Sequence, residues 1–295
     1  MPPKMTLSAE AASDLFRAAP HQMLDMGSGK GQVAHRVVGS GPDVLFVHGW
    51  PVSSATFRKL LPHLADHVTC HLIDLPGAGS SKYDTDTDLS IQNHIRSVKR
   101  SVELLGLDSV SAVGFDSGGL IARHALVGHE ALRSMGLIDT ELSGRQPLRF
   151  RSFIAARHLP GFRRAFGWLA GQPRLRRTKF VLGDAFADRS LLDGEFDEFF
   201  LRPIHESPEA LHAAAQIFKS FDMSDVTALE EIHGRIEVPV RLVWGTEDKF
   251  LPIAGARRMV HDFPDADLVE IRGAGLFSHE EQPAAVAEAL LPVLT

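Results

Sequence analysis

The stretch Val110-Ser-Ala-Val-Gly114-Phe-Asp116-Ser117-Gly118-Gly119 decides how this chain folds. Val110–Gly114 reads as a short buried strand, and Leu120–Val127 as the helix immediately behind it. Asp116 stands at the junction, with glycine two positions before it and two after. A strand that turns straight into a helix puts its central residue in a strained backbone conformation, so the flanking residues must be small. The central side chain is then exposed at the top of the sheet, beside a helix N-terminus that favours negative charge. Centring the turn on Ser117 would put Phe115 where a small residue is required. Asp116 is therefore the candidate nucleophile; the competing reading is an Asp that only caps the following helix.

Outward from this turn, short β-branched runs alternate with longer helical patterns, which reads as βαβ units on a mostly parallel sheet. Strands are expected at Gln22–Met26, on an edge, and at Gln32–Val38, Asp43–His48, Thr69–Asp74, Met135–Asp139, Val238–Trp244 and Leu268–Ile271. Helices are expected at Thr56–Ala65, Ser90–Leu105, Ile253–Asp262 and Glu280–Leu291. The pattern changes after Leu142. Ten Arg or Lys and no Asp or Glu occur up to Phe180, and then Asp184, Asp188, Asp193, Glu195, Asp197 and Glu198 follow by Phe200. This region has helical patches and no strand signal, so residues 142–223 are expected to be a helical cap on a core made of 1–141 and 224–295. The basic run could attract anionic substrates; the simpler reading is a solvated face paired with the acidic stretch behind it.

The 295 residues are 44% hydrophobic and 23% charged, with a net charge of −6, which gives no footprint for nucleic acid or anionic membrane. The lone Cys70 cannot form an internal disulfide and sits in an apolar run, as a buried thiol of a reducing compartment does. Met1–Pro20 has no continuous apolar segment of the signal-peptide kind, and no stretch approaches a membrane span. A cytoplasmic protein is expected, without cofactor, acting on a small organic molecule. A homodimer through the last helix or the cap stays open. His63, His67 and His71 are evenly spaced but fall on a helix, a loop and a strand, so no metal site is expected.

Two further turns belong with Asp116. His48-Gly49-Trp50-Pro51 follows a strand directly and aims the Trp50 N–H above the Asp116 turn, where with the Ser117 N–H it would form an oxyanion hole. His48 would hold this loop by hydrogen bonds. In Trp244-Gly245-Thr-Glu-Asp248-Lys-Phe-Leu-Pro252, Asp248 is placed to orient an imidazole; Glu247 is the neighbouring competitor.

The order His-Gly-x-Pro, Gly-x-Asp-x-Gly, cap, Trp-Gly-x-x-Asp and a last-strand loop resembles the epoxide hydrolase and haloalkane dehalogenase branch of the α/β-hydrolases, over nearly the whole chain from Val33 onward. The motifs are specific jointly, not singly. The resemblance implies an α/β-hydrolase fold, a mostly parallel eight-stranded sheet flanked by helices with a helical cap. It implies that Asp116 attacks a substrate carbon to form an alkyl-enzyme ester, which water activated by a His then hydrolyses. It also implies that this His lies seven residues before Pro283. That position holds Leu276. His279, three residues on, is the alternative base if the loop is rearranged; otherwise the catalytic set is incomplete and the ester accumulates.

Similar epoxide hydrolases open the ring with two cap tyrosines, whereas the only tyrosine here, Tyr83, precedes the cap. Similar dehalogenases hold the halide with indole N–H groups, often from a Trp directly after the nucleophile, where this chain has Ser117. Similar fluoroacetate dehalogenases carry Arg one and four residues after the nucleophile, where Ser117 and Leu120 stand. The residues expected to face substrate are His48, Trp50, Phe115, His158 and Trp168. Three readings stay open: an epoxide or carbon–halogen hydrolase impaired at its second step, a non-hydrolytic binding protein of the same fold, and an esterase or lactonase using Ser117.

Overall fold

Eight strands follow the runs of β-branched and apolar residues: β1 Gln22–Asp25, β2 Gln32–Gly39, β3 Asp43–Val47, β4 Thr69–Asp74, β5 Val110–Phe115, β6 Leu132–Ile138, β7 Val240–Gly245 and β8 Ala266–Ile271. They form one sheet in the order β1-β2-β4-β3-β5-β6-β7-β8, antiparallel at β1–β2 and β2–β4 and parallel elsewhere. This computed structural model describes residues 7–179 and 181–295. Met1–Thr6, the start of the segment read for a leader, and Phe180, the end of the basic run, lie outside the described residues. Among the described residues, no helix is long and apolar enough to cross a membrane.

All six residues of β5 are buried, as expected of a central parallel strand covered on both faces. One face is covered by helices α3 (Ile91–Leu105) and α4 (Ser117–Leu126), which pack on each other. The last helix, α14 (Pro283–Leu294), packs on β6 and β7 and on the short α2 (Leu61–Leu64). Ser90 caps α3 by accepting the Asn93 N–H, and Gly106 ends it in the left-handed conformation. In the parallel register Val47 pairs with Gly114, Gly114 with Leu137, and Ile138 with Val243. The carboxyl ends of β3, β5, β6 and β7 therefore lie side by side, and the loops that follow them share one edge of the sheet.

Two expected helices are broken, each at a proline. Thr56–Ala65 is a 3₁₀ turn at Ser54–Phe57 followed by α2, because Pro62 has no N–H with which to continue a helix begun earlier. The final helix begins at Pro283 rather than Glu280. Gln282, held by the proline ring out of the helical region at φ −135° and ψ 61°, separates it from the turn Ser278–Glu281. Helix α4 begins at Ser117, three residues earlier than expected.

Between β6 and β7 the described chain contains helices and turns and no strand. Leu148–Ala155, Phe162–Ala170 and Pro208–Ser220 are the longest helices of this region. Its opposed charges meet: Arg149 pairs with Asp184, and buried Arg176 bonds Asp193 at 2.9 Å and also Asp197. The pairing expected between the basic and acidic stretches is found at these residues.

Candidate active site

Asp116 has φ 50° and ψ −136°, a conformation that residues with a side chain rarely adopt, and α4 starts at the next residue. The turn is over-determined by its neighbours. A Cβ on Gly118 would overlap the carbonyls of Val47 and His48, and one on Gly49 would overlap the Asp116 carboxylate itself. Only glycine lets the β3 loop lie this close to the turn. The Trp50 N–H donates to Asp116 Oδ2 at 2.9 Å, and the Ser117 N–H bonds the same carboxylate. The two donors expected for an oxyanion therefore both bond the Asp116 carboxylate, the Trp50 N–H through Oδ2. Burial pushes its pKa up to about 6, against these backbone hydrogen bonds, which lower it.

A cavity of about 70 Å³ holds this carboxylate. Its lining includes Asp116, Ser117, Glu141, Leu276 and the aromatic rings of Phe150 and Phe218. Leu276 shares the space with Asp116 as expected, and no imidazole lines it. Asp248 is buried in the turn after β7, where its Oδ1 accepts the Phe250 and Leu251 N–H groups at 2.7 and 2.9 Å. Its Oδ2 is buried with no hydrogen-bond partner. Burial raises the Asp248 pKa to about 7, and the charge of Asp116 adds to the rise. One oxygen of the carboxylate expected to orient an imidazole is thus unused among the described residues.

His279 is not brought to Asp116. Its Nε2 lies 2.7 Å from Thr56 Oγ1, and its ring packs among Phe57, Phe115 and Phe277. Burial, followed by the charges of Arg58 and Lys59, holds it neutral, well below the usual imidazole range. Short of a rearranged loop it cannot reach water on Asp116, so its expected role as replacement base is not supported by its position. Phe115 is buried beneath the turn against Phe277 and His279 and does not face the cavity. A strand side chain one residue before the turn points away from the one that follows it.

His48 is structural: its ring lies 2.8 Å from the Gly49 carbonyl and accepts the Leu75 N–H at 2.9 Å, so it donates through Nδ1. Trp50 lines the cavity with its ring, but its indole N–H donates to the Ala214 carbonyl at 2.8 Å and is not free for a halide. His158 lies on an outer groove with Arg157, Arg163, Arg164 and His212. Trp168, on the helix Phe162–Ala170, is 55% exposed and does not line the cavity at Asp116. Helical periodicity alone could not tell the inner from the outer face of so short a segment.

The residue the sequence reading missed is Glu141, three residues past the end of β6. It is buried, it lines the same cavity, and its Oε2 lies 3.1 Å from Thr140 Oγ1, which in turn donates to the Asp116 carbonyl at 2.7 Å. Burial and the neighbouring Asp116 charge push the Glu141 pKa up to about 8. The signal was an acid at the carboxyl end of a parallel strand, the edge where Asp116 and Asp248 also lie. Asp139, two residues earlier, is used within the fold: its carboxylate accepts the Gly245 N–H at 2.7 Å and the Ser278 hydroxyl. A second cavity of about 430 Å³ lies beyond Trp50, lined by Arg36, Asp74, Ser80 and Tyr83 among others, and shares Trp50, Pro51, Ser117 and Ile217 with the first.

Residues 42–283 match the family model described as alpha/beta hydrolase fold. The chain is 28% identical over 255 residues to a pimeloyl-[acyl-carrier protein] methyl ester esterase of Chromobacterium violaceum, covering 83% of this chain and 92% of that protein. It is 26% identical over 280 residues to haloalkane dehalogenase 2 of Mycobacterium bovis, covering 90% and 92%. Among solved structures, the epoxide hydrolase CorEH superposes with a TM-score of 0.75 at 19% identity, covering 92% of this chain and 97% of that one.

Proposed function

The chain belongs to the alpha/beta hydrolase fold family, and from that premise we propose that it is a hydrolase whose nucleophile is the Asp116 carboxylate. Its substrate is a small molecule with an epoxide or a carbon–halogen bond, and residues 142–223 act as the cap over the site. The observation that carries this reading is the Asp116 carboxylate itself, on the strained turn, with Oδ2 accepting the Trp50 N–H and the Ser117 N–H bonded to the same carboxylate. Oδ1 is the oxygen available to attack carbon, and no proton transfer is needed to make it nucleophilic. In the resulting ester the carbonyl oxygen is Oδ2, which already accepts the Trp50 N–H that stabilises charge when water adds. With Leu276 where the resemblance implies the base, hydrolysis is the slow step, by about 10²–10⁴ relative to a complete set.

Intact-protein mass after incubation with a panel of epoxides and haloalkanes tests this. An adduct on Asp116 is expected, with faster turnover after Leu276→His, whose imidazole would take the unused Oδ2 of Asp248. No adduct in either form would favour a binding protein of this fold. A second reading is favoured by the similarity to the methyl ester esterase, namely an esterase using Ser117. Ser117 is the first residue of α4 and its hydroxyl lies 3.3 Å from Asp116 Oδ2, with no imidazole lining the cavity. Labelling of Ser117 by an organophosphonate would establish it.

A further inference from the structure

We propose that Glu141 is a second catalytic carboxyl, the proton donor in formation of the Asp116 ester and the proton acceptor in its hydrolysis, and that the substrate is therefore an epoxide rather than a halide. The inference rests on Asp116 being the nucleophile. It starts from the single proton of the Thr140 hydroxyl. That oxygen lies 2.7 Å from the Asp116 carbonyl and 3.1 Å from Glu141 Oε2, and it also accepts from Arg123. Its one proton has two acceptors, and the contact with Glu141 is the longer of the two, so the carboxyl gets little hold on it and is left able to carry a proton of its own.

The surroundings of Glu141 keep that proton in place. The charged groups facing it are Asp116 from the turn after β5 and Arg123 from α4. Arg123 directs its N–H groups to the Gly119 and Glu141 carbonyls, to Thr140 and to His233, and none to the Glu141 carboxylate. The other cavity walls near it are apolar, among them Phe150, Ile154, Leu251 and Leu276. Burial and then the Asp116 anion favour the neutral carboxyl and outweigh the Arg123 charge, the Glu141 N–H and the Thr140 hydroxyl, so its pKa rises to about 8.

A neutral acid and an ionised carboxylate around one small cavity divide the two steps between them. Asp116 Oδ1 forms a bond to a ring carbon, the carbon–oxygen bond of the epoxide breaks, and its electron pair goes to the ring oxygen. That alkoxide takes the Glu141 proton. The products are a hydroxyalkyl ester on Asp116 and an ionised Glu141. Esterification also removes the Asp116 charge that favoured the protonated form of Glu141. Glu141 then takes a proton from water as the hydroxide adds to the ester carbonyl carbon. The tetrahedral intermediate collapses with loss of the diol's oxygen, which takes the proton left on the Asp116 carboxyl. Asp116 ends ionised, Glu141 ends protonated, and one epoxide and one water have become one diol. A departing halide needs no proton, so this acid has a use only for the epoxide. It also takes the place of the cap tyrosines this chain lacks.

The test compares rates of Asp116 labelling, read by intact mass and peptide mapping, with 1,2-epoxybutane and 1-bromobutane in the full chain and in Glu141→Gln. The ratio of epoxide to bromide labelling is expected to fall by about 10²–10⁴ in Glu141→Gln. Bromide labelling serves as the check that the variant is folded with a working nucleophile. An unchanged ratio would overturn the role of Glu141 and leave Asp116 standing. Absence of labelling on Asp116 by either reagent in the parent chain would overturn both. A lower ratio that Glu141→Asp partly restores, with slow release of diol from the labelled parent, establishes the proposal.

Discussion

Asp116, Glu141 and Asp248 are three buried carboxyls at one sheet edge, and burial raises the pKa of each. The direction of these shifts sets the pH behaviour. Bromide labelling needs only ionised Asp116, so its rate should rise with pH and level off above about 6. Epoxide labelling also needs protonated Glu141 and should fall again above about 8, giving a bell-shaped profile whose limbs belong to the pair. A single rising limb for both reagents would remove Glu141 from the chemistry. Stability follows the same sign. Between the unfolded pKa of Glu141, about 4.5, and its folded value of about 8, the folded chain binds more protons than the unfolded one, so its contribution is lost as pH rises through this window. Glu141→Gln should therefore lose less Tm than the parent between pH 5 and pH 8, measured by thermal unfolding. At this scale the sequence showed Asp116 and Asp248 through their turns. It did not show Glu141, because an acid after a strand has no spacing rule to mark it.

The elements that hold the site are turns rather than helices. The turn after β3 approaches Asp116 closely enough that Gly49→Ala would push a methyl group into the carboxylate. Displacement of a reacting group by about 1 Å costs roughly 10² in rate, so labelling of Asp116 in Gly49→Ala should fall by at least about that factor. Labelling at the parent rate would mean the turn yields without moving the carboxylate. The strands were legible because their apolar runs are bounded by turn residues. The breaks before Pro62 and Pro283 fell inside stretches whose periodicity continued, and the cost of a missing N–H or a pre-proline residue decided the outcome there. The second break carries function with it: the chain between β8 and Pro283 places Leu276 in the cavity and turns the His279 ring toward Thr56.

Over the whole molecule, the segment between β6 and β7 meets the turn after β3 through a cluster of rings. Trp50, on the β3 turn, stacks on Phe218 at 4.5 Å and on Phe166 at 5.1 Å, and its N–H binds the Ala214 carbonyl. Trp50 lines both the small cavity at Asp116 and the larger one, and Phe218 lines the small one. Removing one ring in Phe218→Ala should open the site and shift preference from four-carbon toward ten-carbon epoxides by about tenfold, read as the ratio of labelling rates. An unchanged ratio would show that chain length is limited elsewhere. The sequence by itself determined the sheet and the strained turn at Asp116, because both rest on local rules: short apolar runs bounded by turn residues, strand-to-helix turns, and glycine where nothing larger fits. It also determined that the position implied for a base holds Leu276, which is a matter of counting. Only the tertiary structure decided which polar groups share a cavity. His279 and Glu141 each lie in a segment that follows a parallel strand, yet one is packed away among aromatic rings and the other lines the cavity of Asp116. That choice depends on distances between segments remote in the chain, which no local pattern encodes.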